Sequence, residues 1–219
     1  MSLPTYRCRR ATGPLTIDGR LDEPAWAAAE VAFLRRNEDA GPAPLASTVR
    51  LLWDDVYLYV GFTCEDPDIW GTLLTRDSEL WEEEVVEVFL DPNHNGQLYF
   101  EFELSPRNVQ LDLLAVKRPG QPLQTLIAWD CPGWQTAVCV EGTLDDRTDH
   151  DRGWSAEMAI PLAELRTAPH APRPGDVWRM GLYRIERPQH APHLLLAWSP
   201  TLAATFHVPE RFGYLAFEG

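Results

Sequence analysis

The chain has 219 residues, 45% hydrophobic and 24% charged, the balance of a foldable globular protein. A formal net charge of −14, with Lys117 the single lysine among dispersed arginines, excludes a nucleic-acid partner, whose phosphates need clustered cations. No apolar run approaches the roughly 18 residues that cross a bilayer as a helix, so no membrane partner is expected.

The length suits one domain over residues 1–219. The opening MSLPTYRCRR has charge but no apolar stretch, so no signal peptide is visible. An extracellular or periplasmic site is expected if a leader was removed, and a cytoplasmic one otherwise. Residues 21–29 suit a short helix, with Asp22 as its N-cap and Pro24 in the first turn. Residues 49–53 and 56–62, both apolar with period two, flank Asp54-Asp55 and predict a hairpin. A second hairpin joins 85–90 to 98–104 through a turn ending in Asn95-Gly96, residues that tolerate positive φ. Further strands are predicted over 109–116, 134–142, 154–160, 177–185, 193–198 and 213–217, with one helical turn at 161–165. About ten short antiparallel strands without long helices predict an all-β fold, a β-sandwich.

Cys8, Cys64, Cys131 and Cys139 form no C-x-x-C pair, which argues against zinc or redox chemistry and for free, mostly buried thiols. The nine tryptophans belong mainly to the core.

Alternation then assigns faces. Leu98, Phe100, Phe102 and Leu104 share one side of their strand, and Tyr99, Glu101 and Glu103 the other. Glu87 shares a face with Val85 and Phe89, so it is either exposed or deliberately hydrogen-bonded. If the hairpin pairs as its turn suggests, Glu87 joins Glu101 and Glu103, and Gln110 and Asp112 extend the same face beside Trp81. Two readings stay open: a solvated acidic face, approached by the glutamates 82–84, or a surface of planar polar groups and an aromatic ring that suits a sugar.

The segment IDGRLDEPAW (17–26) resembles the opening of the family 9 carbohydrate-binding modules and their DOMON-like, immunoglobulin-like relatives. Similar to the family, in order, are WDDVYLYVGFTCEDPD (53–68), LWEEEVVEVFLDP (80–92), YFEFELSPRNVQLDL (99–113), GWSAEMAIPLAEL (153–165) and AWSPTLAATFHVPERFGYLAF (197–217). The resemblance implies a non-catalytic module that binds a mono- or oligosaccharide or a polysaccharide chain end, serving polysaccharide degradation. It implies a clamp of two rings, at Trp81 and Phe206, with Glu87 accepting hydroxyls and Glu103 and Gln110 nearby. The Phe replaces a Trp, and Glu103 stands where the family pattern has a cation. The family also implies structural calcium, for which Asp18, Asp22, Asp66, Asp68 and Asp91 are candidate ligands. The Asp-rich run 145–151 lacks the glycine and glutamate positions of an EF-hand.

Two other classes remain. A glycoside hydrolase would pair Glu87 with Glu103 or Asp112. A haem-carrying electron-transfer domain would need axial ligands from Met158, Met180 or a histidine.

Overall fold

The computed structural model describes residues 2–219. Its strands are β1 Thr5–Arg10, β2 Val31–Phe33, β3 Arg35–Arg36, β4 Ser47–Trp53, β5 Tyr57–Glu65, β6 Val85–Asp91, β7 Leu98–Leu104, β8 Gln110–Val116, β9 Gln124–Leu126, β10 Gln135–Glu141, β11 Gly153–Pro161, β12 Val177–Glu186, β13 Leu194–Ala197 and β14 Gly213–Phe217. The only helical pieces among the described residues are short 3-10 turns, at Pro24–Ala28, Leu80–Glu82, Leu162–Glu164 and Pro209–Arg211. The fold is all-β, as the alternating pattern predicts.

The strands form two layers. One runs β10-β11-β5-β4, with β2 on β4; the other runs β14-β12-β6-β7-β8-β9, with β13 and β3 beyond β12. β1 joins both layers: Thr5 to Cys8 pair with β14, and Arg9 and Arg10 with β4. Both pairings are parallel, a departure from the antiparallel expectation. A strand at the edge of both sheets satisfies edge N–H and C=O groups that would otherwise be open to another chain.

Between the layers lies the main core. Val49, Leu51, Val60, Phe62, Ala156 and Met158 face Val86, Val88, Phe100, Phe102, Met180 and Leu182. Burial of such side chains at roughly 25 cal/mol per Å² of apolar area is the main driving force for this packing.

The 17–26 segment covers the outer face of the first layer. Glu157 on β11 accepts the backbone N–H of Asp18 (2.9 Å) and Gly19 (2.8 Å) and the indole N–H of Trp26 (3.0 Å). Gly19 has φ +88°, and a Cβ there would lie 2.6 Å from the Val138 carbonyl carbon. The family's opening motif therefore anchors a structural flap. Asp22 is not the predicted N-cap: the turn starts after Glu23 and has no side-chain cap, because its first turn begins at proline. The cysteines are free as predicted, with Cys8, Cys64 and Cys131 buried.

The outer face of the second layer is also covered. Val85, Phe89, Tyr99, Leu111, Leu113, Tyr183, Phe206 and Phe212 form a second core there, beneath the 73–81 and 206–212 segments. This layer decides the fate of the acidic residues.

Candidate ligand-binding site

Pairing of β6 with β12 and β7 sets Tyr183, Glu87 and Glu103 in one row across the sheet, with Leu111 of β8 next in line. One residue pair further along, Phe89 faces Glu101, which faces Leu113. Glu87, Glu101 and Glu103 thus share the outer face, as the alternation predicts, but they are not solvated. All three are buried, and one carboxylate oxygen of each lies within 4.8 Å of the others.

These carboxylates line a cavity of about 270 Å³ together with Trp81, Phe206, His207, Arg187, His193 and Thr205. Of the residues predicted for the site, Trp81, Glu87, Glu103 and Phe206 meet here. Gln110 does not. Its amide donates to Thr136 Oγ1 at 2.8 Å and its oxygen accepts from Arg76 at 2.5 Å. The reason is register: Glu103 pairs with Leu111, so Gln110 and Asp112 project to the opposite face.

Two loops supply the walls. Trp81 sits in the Leu80–Glu82 turn, whose Trp81 carbonyl accepts from Arg187 Nη2 at 2.6 Å. Phe206 follows a loop pinned by Asn37, which is buried. Asn37 Nδ2 donates to Thr201 Oγ1 (2.7 Å) and the Ala203 carbonyl (2.8 Å), and its Oδ1 accepts the Thr201 N–H at 2.8 Å. Phe206 is only 6% exposed and stacks on Tyr183 at 4.2 Å and 12°. One face of its ring is therefore taken by the protein, which makes it a fixed wall; Trp81 is only partly buried. Arg187, His193, Thr205 and His207 carry no periodic signal, because they lie in loops that only tertiary structure brings together.

Electrostatics are unusual for a surface cavity. Burial pushes Glu101 up to about 7. Glu87 and Glu103 are held well above the usual carboxylate range, first by burial and then by the neighbouring carboxylates. Neither oxygen of Glu103 has a donor, and Glu101 Oε2 and the Tyr183 hydroxyl also lack partners. His207 lies 3.9 Å from Glu101, but burial pushes it down to about 4, so it is neutral; its Nδ1 bonds the Tyr99 hydroxyl at 2.8 Å.

Of the glutamates 82–84, only Glu82 is exposed as a solvated approach would require. Glu83 Oε2 accepts the N–H of Thr72 (2.6 Å) and Leu73 (3.1 Å), tying the loop before Trp81. Glu84 is fully buried beside Asp66 and Glu186.

The five aspartates named as calcium ligands do not form a cage. Asp66 is paired with Arg184 at 3.0 Å, Asp68 with Arg147 at 2.5 Å, Asp91 accepts the Gly96 N–H, and Asp18 that of Arg20. No two of them share one of the oxygen clusters found among the described residues, and Asp22 enters none. They do not share a common site, and turn N–H groups or arginines engage oxygens of Asp18, Asp66, Asp68 and Asp91. Met158 and Met180, the two methionines named as candidate haem ligands beside the histidines, are packed between the sheets.

A larger open groove of about 790 Å³ lies over the first layer, lined by Arg20, Arg50, Glu65, Glu141 and Arg152. Its charges are mostly exposed, and its rings, Trp26 and Trp154, are buried core. It offers no aromatic face.

The profile of the family described as carbohydrate family 9 binding domain-like matches residues 17–219. The chain belongs to that family. This family 9 domain is 35% identical to endo-1,4-beta-xylanase A of Thermotoga maritima over 96 residues, which is 41% of the chain and 8% of that enzyme. The matched stretch is thus under a tenth of the enzyme's length. Three solved structures are similar along nearly the whole chain. A candidate carbohydrate-binding protein of Bacteroides uniformis, 18% identical, superposes with a TM-score of 0.79 over 99% of this chain and all of its own. A family 9 module of Caldicellulosiruptor kristjanssonii in complex with cellotriose, also 18% identical, has a TM-score of 0.67 over 99% of this chain and 94% of its own. The same organism's module in complex with glucose is 19% identical, with a TM-score of 0.66 over 97% and 96%.

Proposed function

We propose that this domain is a non-catalytic module that seats the end of a saccharide against Trp81 and Phe206, with Glu87 accepting sugar hydroxyls, in the service of polysaccharide degradation. The observation that carries this reading is the convergence of Trp81, Phe206 and Glu87 on one cavity in a family 9 domain. Relatives of that family are solved with cellotriose and glucose. The volume of about 270 Å³ lies just below the roughly 300–1,000 Å³ of pockets that enclose drug-sized ligands, which favours a terminal sugar over an internal run.

Binding is a better fit than hydrolysis. A glycosidase needs carboxylates on opposite sides of the scissile bond, one of them ionised. Here Glu87 and Glu103 stand side by side, both pushed toward the protonated form, and Asp112 faces away with Arg76.

Calorimetry of wild type and Trp81→Ala with cellotriose and glucose tests the site. An affinity near 10 μM, roughly −7 kcal/mol, falling at least tenfold in the variant, is expected. Equal binding by both proteins would remove Trp81 from the site.

A further inference from the structure

Three clusters of carboxylates stand out among the described residues, and they differ in one respect. Asp66, Glu84 and Glu186 surround Arg184, which is completely buried and pairs with Asp66 and Glu186. Asp77, Asp112 and Asp130 surround Arg76, which pairs with all of them. Glu87, Glu101 and Glu103 have no such cation. His207, 3.9 Å from Glu101, is already neutral, and Arg187, which also lines the cavity, makes no ion pair with the three and donates instead to the Trp81 carbonyl.

Two clusters thus carry a built-in cation, and the third opens into the cavity without one. Glu103 is fully buried and belongs to the cavity lining; no other residue donates to its oxygens, and its one polar partner is the Glu101 carboxyl beside it. A buried carboxylate with no partner is costly. A partner that arrives from outside offsets that cost on binding.

We propose that this cavity selects saccharides bearing a protonated primary amine, whose ammonium group seats on Glu87, Glu101 and Glu103. The proposal rests on the reading that this cavity is the sugar site. An ammonium presents three N–H donors, and three carboxyl groups within 4.8 Å of one another present an oxygen to each; its positive charge favours their ionised form, so binding displaces protons from them. Charge-assisted bonds of this kind are about twice as strong as those a neutral hydroxyl would make there. The rings of Trp81 and Phe206 add faces that a cationic sugar also favours. A bare calcium ion matches less well: it takes six to eight oxygens, and the remaining walls, among them Ile185, Leu195 and Ala204, are apolar.

The test is calorimetry at neutral pH and low salt with the β-1,4-linked glucosamine trimer, its N-acetylated counterpart, cellotriose and calcium chloride. The titrations are run on wild type, Glu103→Gln and Glu101→Gln, with melting curves to show that each variant folds. The amine-bearing trimer is expected to bind at least tenfold more tightly than either neutral trimer. In both variants that preference shrinks to within about threefold. If cellotriose binds in a Trp81-dependent way and the amine-bearing trimer binds no tighter, the charge selection is overturned while the sugar site stands. If no trimer binds, the sugar site itself falls and the selection with it. Glu103-dependent binding of calcium alone, without a preference for the amine, overturns the proposal in favour of a metal.

Discussion

Replacing Glu101 by glutamine isolates one proton in the stability of this fold. Burial raises the Glu101 carboxyl from an ordinary 4.5 to about 7. A raised value means that the folded state holds the proton more tightly than the unfolded chain. The stabilisation is therefore complete below about 4.5 and is lost as pH rises through about 7. Across that interval, at about 1.4 kcal/mol per pH unit, the loss is about 3 kcal/mol. Glu87 and Glu103, also raised by burial, act in the same sense and remain in both proteins. Glu186, raised to about 7, and Asp112, raised to about 6, slope in the same sense and remain in both proteins. Urea unfolding of wild type and Glu101→Gln in small steps from about pH 5 to 8 measures the difference. Wild type should lose stability with rising pH, and the variant should lose it less steeply, by up to about 1.4 kcal/mol per pH unit. Parallel curves for the two proteins would refute the assignment of a buried, proton-holding carboxyl to Glu101.

Arg184→Met leaves Asp66 and Glu186 buried without their cation and should cost about 3–5 kcal/mol, read as a drop in the urea midpoint. Asn37→Ala frees the Thr201 and Ala203 backbone groups, costs about 1–3 kcal/mol, and should weaken cellotriose binding through disorder of the Phe206 loop, seen as increased hydrogen exchange over 201–207. Gly19→Ala strains a backbone at φ +88° against Val138 and should destabilise the fold by roughly 1–3 kcal/mol, without changing sugar affinity measured well below the melting temperature.

Much of the architecture was legible because strand alternation is a local property. The hairpins 49–62 and 85–104, the turn at Asn95-Gly96 and the shared face of Glu87, Glu101 and Glu103 all follow from a period of two. The family membership was legible separately, through resemblance of motifs that lie in order along the chain. What periodicity missed are the short strands β2, β3 and β9 and the parallel strand β1, whose two-sheet pairing depends on partners 40 or more residues away. Gln110 failed for a related reason. Alternation fixes which residues of one strand share a face, but pairing with the next strand decides which set joins them, and a one-residue register put Leu111 beside Glu103.

The acidic residues show the same division most sharply. The sequence by itself determined that three carboxylates would stand on one side of a hairpin, with Trp81 just ahead of it. Whether that side met water was settled by the loops 73–81 and 206–212, which fold over the sheet as a second core. Local pattern specifies direction; burial is a property of what arrives from elsewhere in the chain. Only the tertiary structure turned an acidic face into a cavity floor, left Glu103 without a donor, and set Phe206 against Tyr183 as its wall.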